Sequence, residues 1–273
     1  VSSVYVDAGI DIEICEGEQV QLNALGNASQ FLWSPTLALS NPNISNPIAS
    51  PNSDVTYFVS IFDGLCEGGD SINVKVHNEV PNPTFTTLNH CDGDTIKFIG
   101  NSALLTSNIS WEWSFGSSIQ NPLQQLALGI NTIELITTNL DNNCSDTIVQ
   151  IIEIHDLPIV DFTANEVCLG DTTFFFNNSS SNVVNWNYLM NDGFGISSDI
   201  NPSYIYPNSG EFNPILKVTS NFGCTAETSI VLLVNELPIA DFLVDDNCVG
   251  LVSLFTDVSS VSNGIIDKTG PKI

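Results

Sequence analysis

Cysteine is the residue type whose spacing in this 273-residue chain points most directly to chemistry. Long and short intervals alternate along the chain between the seven cysteines, which are Cys15, Cys66, Cys91, Cys144, Cys168, Cys224 and Cys248. Each long interval marks one repeat, and the repeats follow one another at a nearly constant period. This spacing predicts a tandem array of small disulfide-stabilised domains.

We expect one disulfide inside each repeat, which gives the pairs Cys15–Cys66, Cys91–Cys144 and Cys168–Cys224. Closing a loop of this length stabilises a domain by roughly 4 kcal/mol on the chain-entropy model. The seventh cysteine, Cys248, is left as a free thiol or as one half of an intermolecular disulfide.

Catalytic use of these residues is the alternative interpretation. His90, Cys91 and Asp92 are adjacent and resemble a thiol nucleophile with a base, but a cysteine in a disulfide has no thiolate. The two other histidines, His77 and His155, lie far apart in sequence and do not make a zinc site. No metalloprotease helix motif, nucleophile elbow or phosphate loop is present, so we predict that the chain is not an enzyme.

The charge of the chain limits its partners. There are 31 acidic residues against 5 basic ones, which gives a net charge of −26. Phosphate backbones and anionic membrane surfaces would be repelled, so nucleic-acid binding and membrane attachment through this segment are not expected. The charge favours solubility and suppresses non-specific association.

Acidic residues also collect between the repeats, where calcium is the one cofactor with some basis. The candidate ligands are Asp156, Asp161, Glu236 and Asp241. Calcium needs several oxygen atoms that converge, and no calcium-binding consensus is present. The other interpretation is an ordinary solvated surface with no cofactor.

Disulfides form and persist outside the reducing cytoplasm, so we expect an extracellular or cell-surface location. The chain contains no signal peptide, no transmembrane run and no initial Met. It is therefore interpreted as a mature or excised piece of a secreted protein.

Strand signals dominate the secondary-structure pattern. Short alternating or apolar runs, such as 56–60, 71–76, 132–136 and 229–234, are separated by Asn, Ser, Gly, Pro and Asp. No helical period is sustained over three turns. The chain is predicted to be all-β.

Proline marks the joints between the repeats, at Pro81, Pro158 and Pro238. Proline fixes φ and cannot donate to a ladder, so it suits the passage from one domain to the next. The predicted domains are residues 1–78, 79–156, 157–236 and an incomplete 237–273. Sandwich strands of about eight residues are roughly 26 Å long, so three domains end to end would form a rod on the order of 100 Å.

Each repeat also has tryptophan between its two cysteines, and we expect core packing for these indoles rather than a carbohydrate platform. They are Trp33, Trp111, Trp113 and Trp186, and we expect Trp33, Trp113 and Trp186 to hold equivalent places.

The third repeat carries a more specific pattern. Trp186, Asp192-Gly193, Asn201-Pro202 and Tyr204-Ile-Tyr206 occur in the order of the PKD domain, an immunoglobulin-like β-sandwich, which this repeat resembles. The second repeat keeps Trp113-Ser-Phe-Gly116 and Asn121-Pro122 but lacks the acidic-Gly turn.

The first repeat is similar to immunoglobulin-like repeats of large Bacteroidetes surface and gliding-motility-associated proteins, through Ile14-Cys-Glu-Gly17 and Trp33-Ser-Pro35. The resemblances imply tandem immunoglobulin-like (PKD-type) sandwiches and a secreted protein.

These families serve as stalks, adhesive modules and accessory modules of secreted hydrolases, so the resemblance implies a non-catalytic structural or adhesive stalk. Its partners would be other copies of itself, other surface proteins or glycans. Two alternatives stay open. One is an accessory region of a secreted hydrolase. The other is a filament subunit in which the unfinished fourth domain accepts a strand from a neighbour.

Overall fold

A computed structural model describes residues 4–64, 66–104, 108–245 and 248–261. The chain falls into two compact units, Val1–Ile154 and His155–Ile273. No described residue is helical, and strands account for the regular structure. The predicted fold class, tandem immunoglobulin-like β-sandwiches, is confirmed.

The first compact unit holds two hydrophobic cores, and the first of these lies within residues 6–77. A four-stranded sheet, β2-β8-β7-β5, packs over it with the small sheets β1-β4 and β3-β6. β2 runs parallel to β8, whereas the other pairs in this part of the chain are antiparallel. The strands are β1 (Val6–Asp7), β2 (Ile12–Cys15), β3 (Val20–Gln21), β4 (Leu25–Gly26), β5 (Gln30–Ser34), β6 (Ile48–Ala49), β7 (Val55–Asp63) and β8 (Cys66–His77).

The second core lies between the three-stranded sheets β12-β10-β9 and β11-β13-β14. Long β13 and β14 form a hairpin that pairs without interruption from Gly129 with Ile154 to Asn139 with Cys144. The strands are β9 (Thr84–Leu88), β10 (Ile96–Asn101), β11 (Ile109–Trp113), β12 (Leu123–Gln124), β13 (Gly129–Asn139) and β14 (Cys144–Ile154).

The third core lies in the second compact unit, among the sheets β15-β17-β20, β16-β24-β21 and β19-β18-β22-β23. β16 runs parallel to β24, as β2 does to β8 in the first core. The strands are β15 (Phe162–Ala164), β16 (Val167–Cys168), β17 (Thr173–Asn177), β18 (Val183–Leu189), β19 (Ile196–Ser197), β20 (Ser203–Tyr204), β21 (Gly210–Phe212), β22 (Ile215–Ser220), β23 (Thr225–Ser229) and β24 (Leu232–Asn235).

After the third core a two-stranded hairpin, β25 (Phe242–Val244) and β26 (Phe255–Asp257), completes the described strands. The aromatic rings of Phe242 and Phe255 are tilted by 50° to each other, with centroids 5.6 Å apart. Both side chains stay about two-thirds exposed, at 59% and 65%. Residues 268–273, which contain two of the five lysines and so differ in composition from the rest of the chain, lie outside the described residues.

One aromatic side chain occupies the same place in each core. Trp33, Trp113 and Tyr188 are all at most 1% exposed, and each sits on the strand next to the central hairpin. The polar atom of each donates a hydrogen bond to the carbonyl oxygen of an isoleucine, namely Ile44, Ile119 and Ile200. The expected equivalence of Trp186 is wrong, because Tyr188 holds that place and Trp186, two residues earlier on β18, is only partly buried.

An Asn-Pro corner follows each of these isoleucines. The prolines cannot donate, but the carbonyl oxygen of each accepts a hydrogen bond from the backbone amide of a buried residue that lies on or directly after a facing strand. The pairs are Leu22 with Pro47 at 2.9 Å, Phe98 with Pro122 at 3.0 Å, and Phe175 with Pro202 at 2.9 Å. This corner closes the edge of the core in all three repeats.

Candidate functional site

The cysteines do not pair as the sequence predicted. Cys15 bonds Cys144, 129 residues away, with their Cα atoms 5.7 Å apart. The pairs Cys15–Cys66 and Cys91–Cys144 are therefore wrong. This disulfide links the first core to the second.

The remaining cysteines divide into two states. Cys91 and Cys224 are each disulfide-bonded. Cys66, Cys168 and Cys248 are free cysteines in the described part of the chain. Because Cys168 is free, the predicted pair Cys168–Cys224 is wrong as well.

The parallel pairing of β2 with β8 explains why Cys15 and Cys66 cannot bond. Cys15 pairs with His77, the last residue of β8, whereas Cys66 is the first residue of that strand. Eleven residues of strand span roughly 36 Å. A disulfide needs Cα atoms within about 7 Å, so the two cysteines lie at opposite ends of the first core.

The third core repeats this arrangement. Cys168 pairs with Asn235, the last residue of β24. Cys224 precedes β23 and lies eleven residues before Asn235 in the sequence. The two cysteines of this repeat are therefore at opposite ends of their core too.

Cys15, Cys91, Cys168 and Cys248, which we call the leading cysteines, all open the same turn. The carbonyl oxygen of each accepts a hydrogen bond from the amide three residues later, at 3.0 to 3.1 Å. The third residue of the turn has φ between 81° and 97° and is glycine in every case, because a side chain would be strained there. These glycines are Gly17, Gly93, Gly170 and Gly250.

Cys66, Cys144 and Cys224, which we call the trailing cysteines, all follow a hairpin turn. Cys66 pairs with Asp63 and Cys144 with Asn139 across their hairpins. The carbonyl oxygen of Cys224 accepts a 2.8 Å hydrogen bond from the amide of Ser220. In the first and third repeats, the leading cysteine therefore lies at one end of the core and the trailing cysteine at the other.

The joint after the first core is held beside the Cys15–Cys144 bond. The carbonyl oxygen of Glu79 accepts hydrogen bonds from the side-chain amides of Asn139 at 3.1 Å and Asn142 at 3.2 Å. Both asparagines belong to the hairpin that leads to Cys144, whose own amide donates to Asn142 Oδ1 at 2.9 Å. The next part of the joint is fixed through Pro81, whose carbonyl oxygen accepts from the amide of Ala103 and the hydroxyl of Ser102, both at 2.8 Å.

A small charged group flanks the same disulfide. Glu13 lies on β2, with one carboxylate oxygen 2.8 Å from His77 Nε2 and the other 3.5 Å from Lys75 Nζ. The hydrogen bond with His77, and then the charge of Lys75, hold the pKa of Glu13 below its usual value. Because Glu13 and Lys75 are exposed, their ion pair contributes little to stability.

The turn at Asp192-Gly193 has a structural role in the third repeat, because the Asp192 carboxylate accepts three hydrogen bonds. Asp192 Oδ1 accepts hydrogen bonds from the amides of Phe194 at 3.0 Å and Gly195 at 2.8 Å, and Oδ2 accepts from the Tyr204 hydroxyl at 2.6 Å. Partial burial alone would raise the pKa of Asp192, but these donors outweigh it and lower the pKa. The carboxylate therefore closes the turn as an anion.

The calcium candidates do not form a cation site among the described residues, where no group of three or more His, Cys, Asp or Glu side chains could hold a metal. Asp241 Oδ1 instead accepts a 2.9 Å hydrogen bond from the amide of Phe242. The amide of Asp161 donates to the hydroxyl of Ser179 at 3.3 Å. The other two calcium candidates predicted from the sequence are Asp156 and Glu236.

Cys91 is disulfide-bonded, so it does not supply the thiolate that the alternative of a thiol nucleophile requires. His90 Nε2 lies 2.7 Å from the Thr87 hydroxyl.

Within the ranges that the structure describes, there is no helix of the length and apolarity needed to cross a bilayer.

No protein-family model matches the chain. Among solved structures, the PKD1 domain of Vibrio anguillarum Epp is 26% identical over 29% of this chain and 93% of its own, with a TM-score of 0.27. The N-terminal eight Ig domains of Down Syndrome Cell Adhesion Molecule are 12% identical over 86% of this chain and 37% of theirs, with a TM-score of 0.46. The fibronectin(III)-like modules of Clostridium thermocellum CbhA are 12% identical over 56% of this chain and 94% of theirs, with a TM-score of 0.34.

Proposed function

We propose that this chain is a non-catalytic extracellular stalk of tandem PKD/Ig-like domains, which holds an adhesive or other functional part away from a cell surface. The observation that carries the proposal is the Cys15–Cys144 disulfide between the first and second cores. Such a bond adds a second covalent connection beside the joint peptide. A joint with two connections resists extension and bending better than a peptide alone, and a load-bearing spacer needs this property.

The chemistry of the chain supports the same proposal. Disulfides call for an oxidising, extracellular environment. The net charge of −26 keeps neighbouring copies apart. The first-repeat pattern around Cys15 and Trp33 favours Bacteroidetes-type surface proteins as the lineage, with other surface proteins, glycans or further copies as the partners.

Small-angle X-ray scattering of the oxidised chain tests the stalk. Three sandwiches end to end, on the order of 100 Å, give a radius of gyration of roughly 30 Å. A compact globule of the same length would have a radius of gyration of about 19 Å. The stalk proposal predicts the larger value in the monomer, and the smaller value would overturn it.

A filament subunit is the second candidate, and the hairpin of β25 and β26 favours it. Its strand β25 is exposed, as expected for a sheet on which a strand from another chain could pack. The exposed fractions are 59% for Phe242, 61% for Leu243 and 49% for Val244. Light scattering separates the two candidates, because strand donation predicts long regular assemblies at micromolar concentration.

A third candidate, an accessory module of a hydrolase, predicts glycan binding by the isolated chain.

A further inference from the structure

We propose that two copies of this chain associate through β14, which pairs antiparallel with β14 of the second copy. β14 is the outer strand of the sheet β11-β13-β14, so β13 pairs with one of its two sides. We call the other side the open edge. The inference goes beyond the proposed stalk, because it concerns how two copies meet and does not depend on what a stalk carries.

The backbone of β14 supplies donors and acceptors along the open edge. Glu134, which pairs with Val149, directs its backbone to the far side of β13. Its carbonyl oxygen accepts from the amide of Ser114 at 2.9 Å, and its amide donates to Ser114 Oγ at 3.2 Å. Because the ladder alternates, the amides and carbonyls of Val149 and Ile151 point to the open edge. Within the described ranges, neither amide donates a hydrogen bond.

The side chains on the exposed face of β14 fit a second copy of the same strand. Val149 is 55% exposed and Ile151 is 70% exposed, and they lie between Thr147 and Glu153 on this face. The order polar, apolar, apolar, polar is the same in both directions of the strand. A two-fold antiparallel pair therefore places Val149 of one copy opposite Ile151 of the other. Thr147 then lies opposite Glu153, so apolar residues face apolar ones and polar residues face polar ones.

The other two repeats protect the corresponding edge. In the first repeat, the amide of Asn73 on β8 donates to Asp11 Oδ1 at 2.9 Å, and β2 pairs with the end of β8. The Asp70 carboxylate, also on β8, accepts from the amide of Ala8 at 2.7 Å. In the third repeat, β24 lies between β16 and β21, and the edge strand β23 is short and carries no large apolar side chain.

β14 has none of these protections. Its eleven residues pair with β13 without a bulge, and they include no lysine and no proline. Lysine, proline and bulges are the features that keep an edge strand from pairing with another chain. A long, regular edge that lacks them and is apolar at its centre is suited to strand addition between chains.

Charge determines the conditions under which two copies meet. Each copy carries a net charge of −26, so long-range repulsion opposes association at low salt. The register that pairs Val149 with Ile151 places Asp146 opposite Ile154, and no two carboxylates face each other across the open edges. Salt screens the long-range repulsion without removing the backbone hydrogen bonds or the apolar contacts. We therefore expect the association to strengthen as the salt concentration rises.

Sedimentation velocity of the oxidised chain, with its free thiols alkylated, is the first test. From about 10 µM to about 500 µM in about 0.5 M salt we expect a monomer–dimer equilibrium, which is weaker in about 0.05 M salt. Ile151→Lys should raise the dissociation constant about tenfold, because a two-fold interface contains the substitution twice. Ile196→Lys is the matched control with the same change of charge. Ile196 is 74% exposed on the two-residue strand β19, and its substitution should leave the dissociation constant unchanged.

Two results of this test would overturn the proposal: a chain that stays monomeric throughout, or a dimer that both substitutions weaken equally. Phe242→Lys separates the dimer from the filament candidate. An association that Phe242→Lys abolishes and Ile151→Lys does not affect would assign the contact to β25 and refute the role of β14. The radius of gyration of the dilute monomer tests the stalk separately, so the two proposals fail independently.

Amide hydrogen exchange followed by NMR tests the open edge itself. In the dimer the amides of Val149 and Ile151 donate to the other copy, so their exchange should slow several-fold as the protein is concentrated from monomer to dimer. The amides of Ile148 and Gln150 face β13 in both states, and their exchange should not depend on concentration. Unchanged exchange at Val149 and Ile151 in a sample that sediments as a dimer would overturn the proposal.

Discussion

Cys15 and Cys144 share a disulfide, although 129 residues of sequence and a whole joint peptide separate them. Cys15 ends the short parallel strand beside His77, where the first core ends, and Cys144 begins β14 at the near end of the second core. The hydrogen bonds from Asn139 and Asn142 to Glu79 lie at the same place. The covalent bond and the joint therefore act together at one boundary.

Removal of this bond should destabilise both cores of the first compact unit. On the chain-entropy model a loop of this length is worth about 5 kcal/mol at most, so we expect Cys144→Ser to lower the melting temperature of the oxidised chain clearly. It should also make the joint at residues 78–84 easier for a protease to cleave. Calorimetry and limited proteolysis measure the two effects.

Cys66→Ser is the matched control, because Cys66 is free in the structure. We expect it to leave the melting temperature within about 1 °C of the parent, as for an exposed substitution away from any special feature. Equal losses in Cys66→Ser and Cys144→Ser would mean that Cys66 is bonded, and the account of the joint would be wrong.

The cysteine spacing predicted the repeat but not the pairing, for a physical reason. The period of the cysteine pattern is the same whether each disulfide lies inside one repeat or joins two neighbours. The choice depends on the parallel pairing of β2 with β8, which places Cys15 at the far end from Cys66. Sequence patterns indicate strands well, but they do not specify which ends of a sandwich carry two distant residues.

The aromatic residues illustrate a similar limit. Trp33 and Trp113 are core residues as expected, whereas the equivalent place in the third repeat belongs to Tyr188. A comparison of tryptophans alone misses this tyrosine. The signal that identifies it is the Asn-Pro corner of Asn201-Pro202, which follows the carbonyl acceptor Ile200. The first repeat has the same corner at Asn46-Pro47.

Tyr188 makes the third core sensitive to alkaline pH. Burial raises the pKa of Tyr188 from 10.0 to about 12, so the folded state holds the phenolic proton more tightly than the unfolded chain does. Its contribution to stability is full below pH 10 and is lost as the pH rises from 10 towards 12. Tyr188→Phe loses the hydrogen bond to Ile200 and should cost about 1 kcal/mol at pH 8.

Urea unfolding of the parent and of Tyr188→Phe, measured between pH 8 and pH 11.5, tests this point. The deficit of the variant should shrink above pH 10, because only the parent loses stability through this ionisation. Tyr206 is buried in both proteins and serves as an internal constant. A deficit that does not change with pH would contradict the assignment.

Gly100 lies where the second repeat leaves no room for a side chain. A Cβ atom there would lie 2.8 Å from the backbone oxygen of Gln120 and 2.8 Å from Cζ3 of Trp111. We expect Gly100→Ala to cost about 1–3 kcal/mol, because the neighbouring backbone and ring must move apart. Gly69→Ala is the control, since its Cβ would be 3.6 Å from its nearest neighbour, an ordinary contact. Chemical denaturation followed by tryptophan fluorescence compares the two, and equal stabilities would refute the packing argument.

Asp192 should stabilise the third core only while it is ionised. Asp192→Ala removes an acceptor of three hydrogen bonds, and we expect a loss of about 2 kcal/mol at pH 7. Since the pKa is lowered from 3.8 in the folded state, this contribution is full above about pH 4 and is lost as the pH falls through the lower folded-state value. Asp199→Ala, which removes one 3.3 Å contact with Ser197, should change stability little at either pH. A pH-independent loss in Asp192→Ala would show that the charge of Asp192 does not matter.

Single-molecule stretching of the oxidised chain, held at its two ends, tests the load-bearing role of the joint most directly. In a Cys91→Ser/Cys224→Ser background the Cys15–Cys144 bond should keep 129 residues out of the extended length, about 460 Å at roughly 3.6 Å per residue, until a reductant is added. A gain of about 180 Å on reduction would instead correspond to the shorter stretch of chain between Cys15 and Cys66. That result, or no gain at all, would contradict a joint whose two sides share a covalent bond.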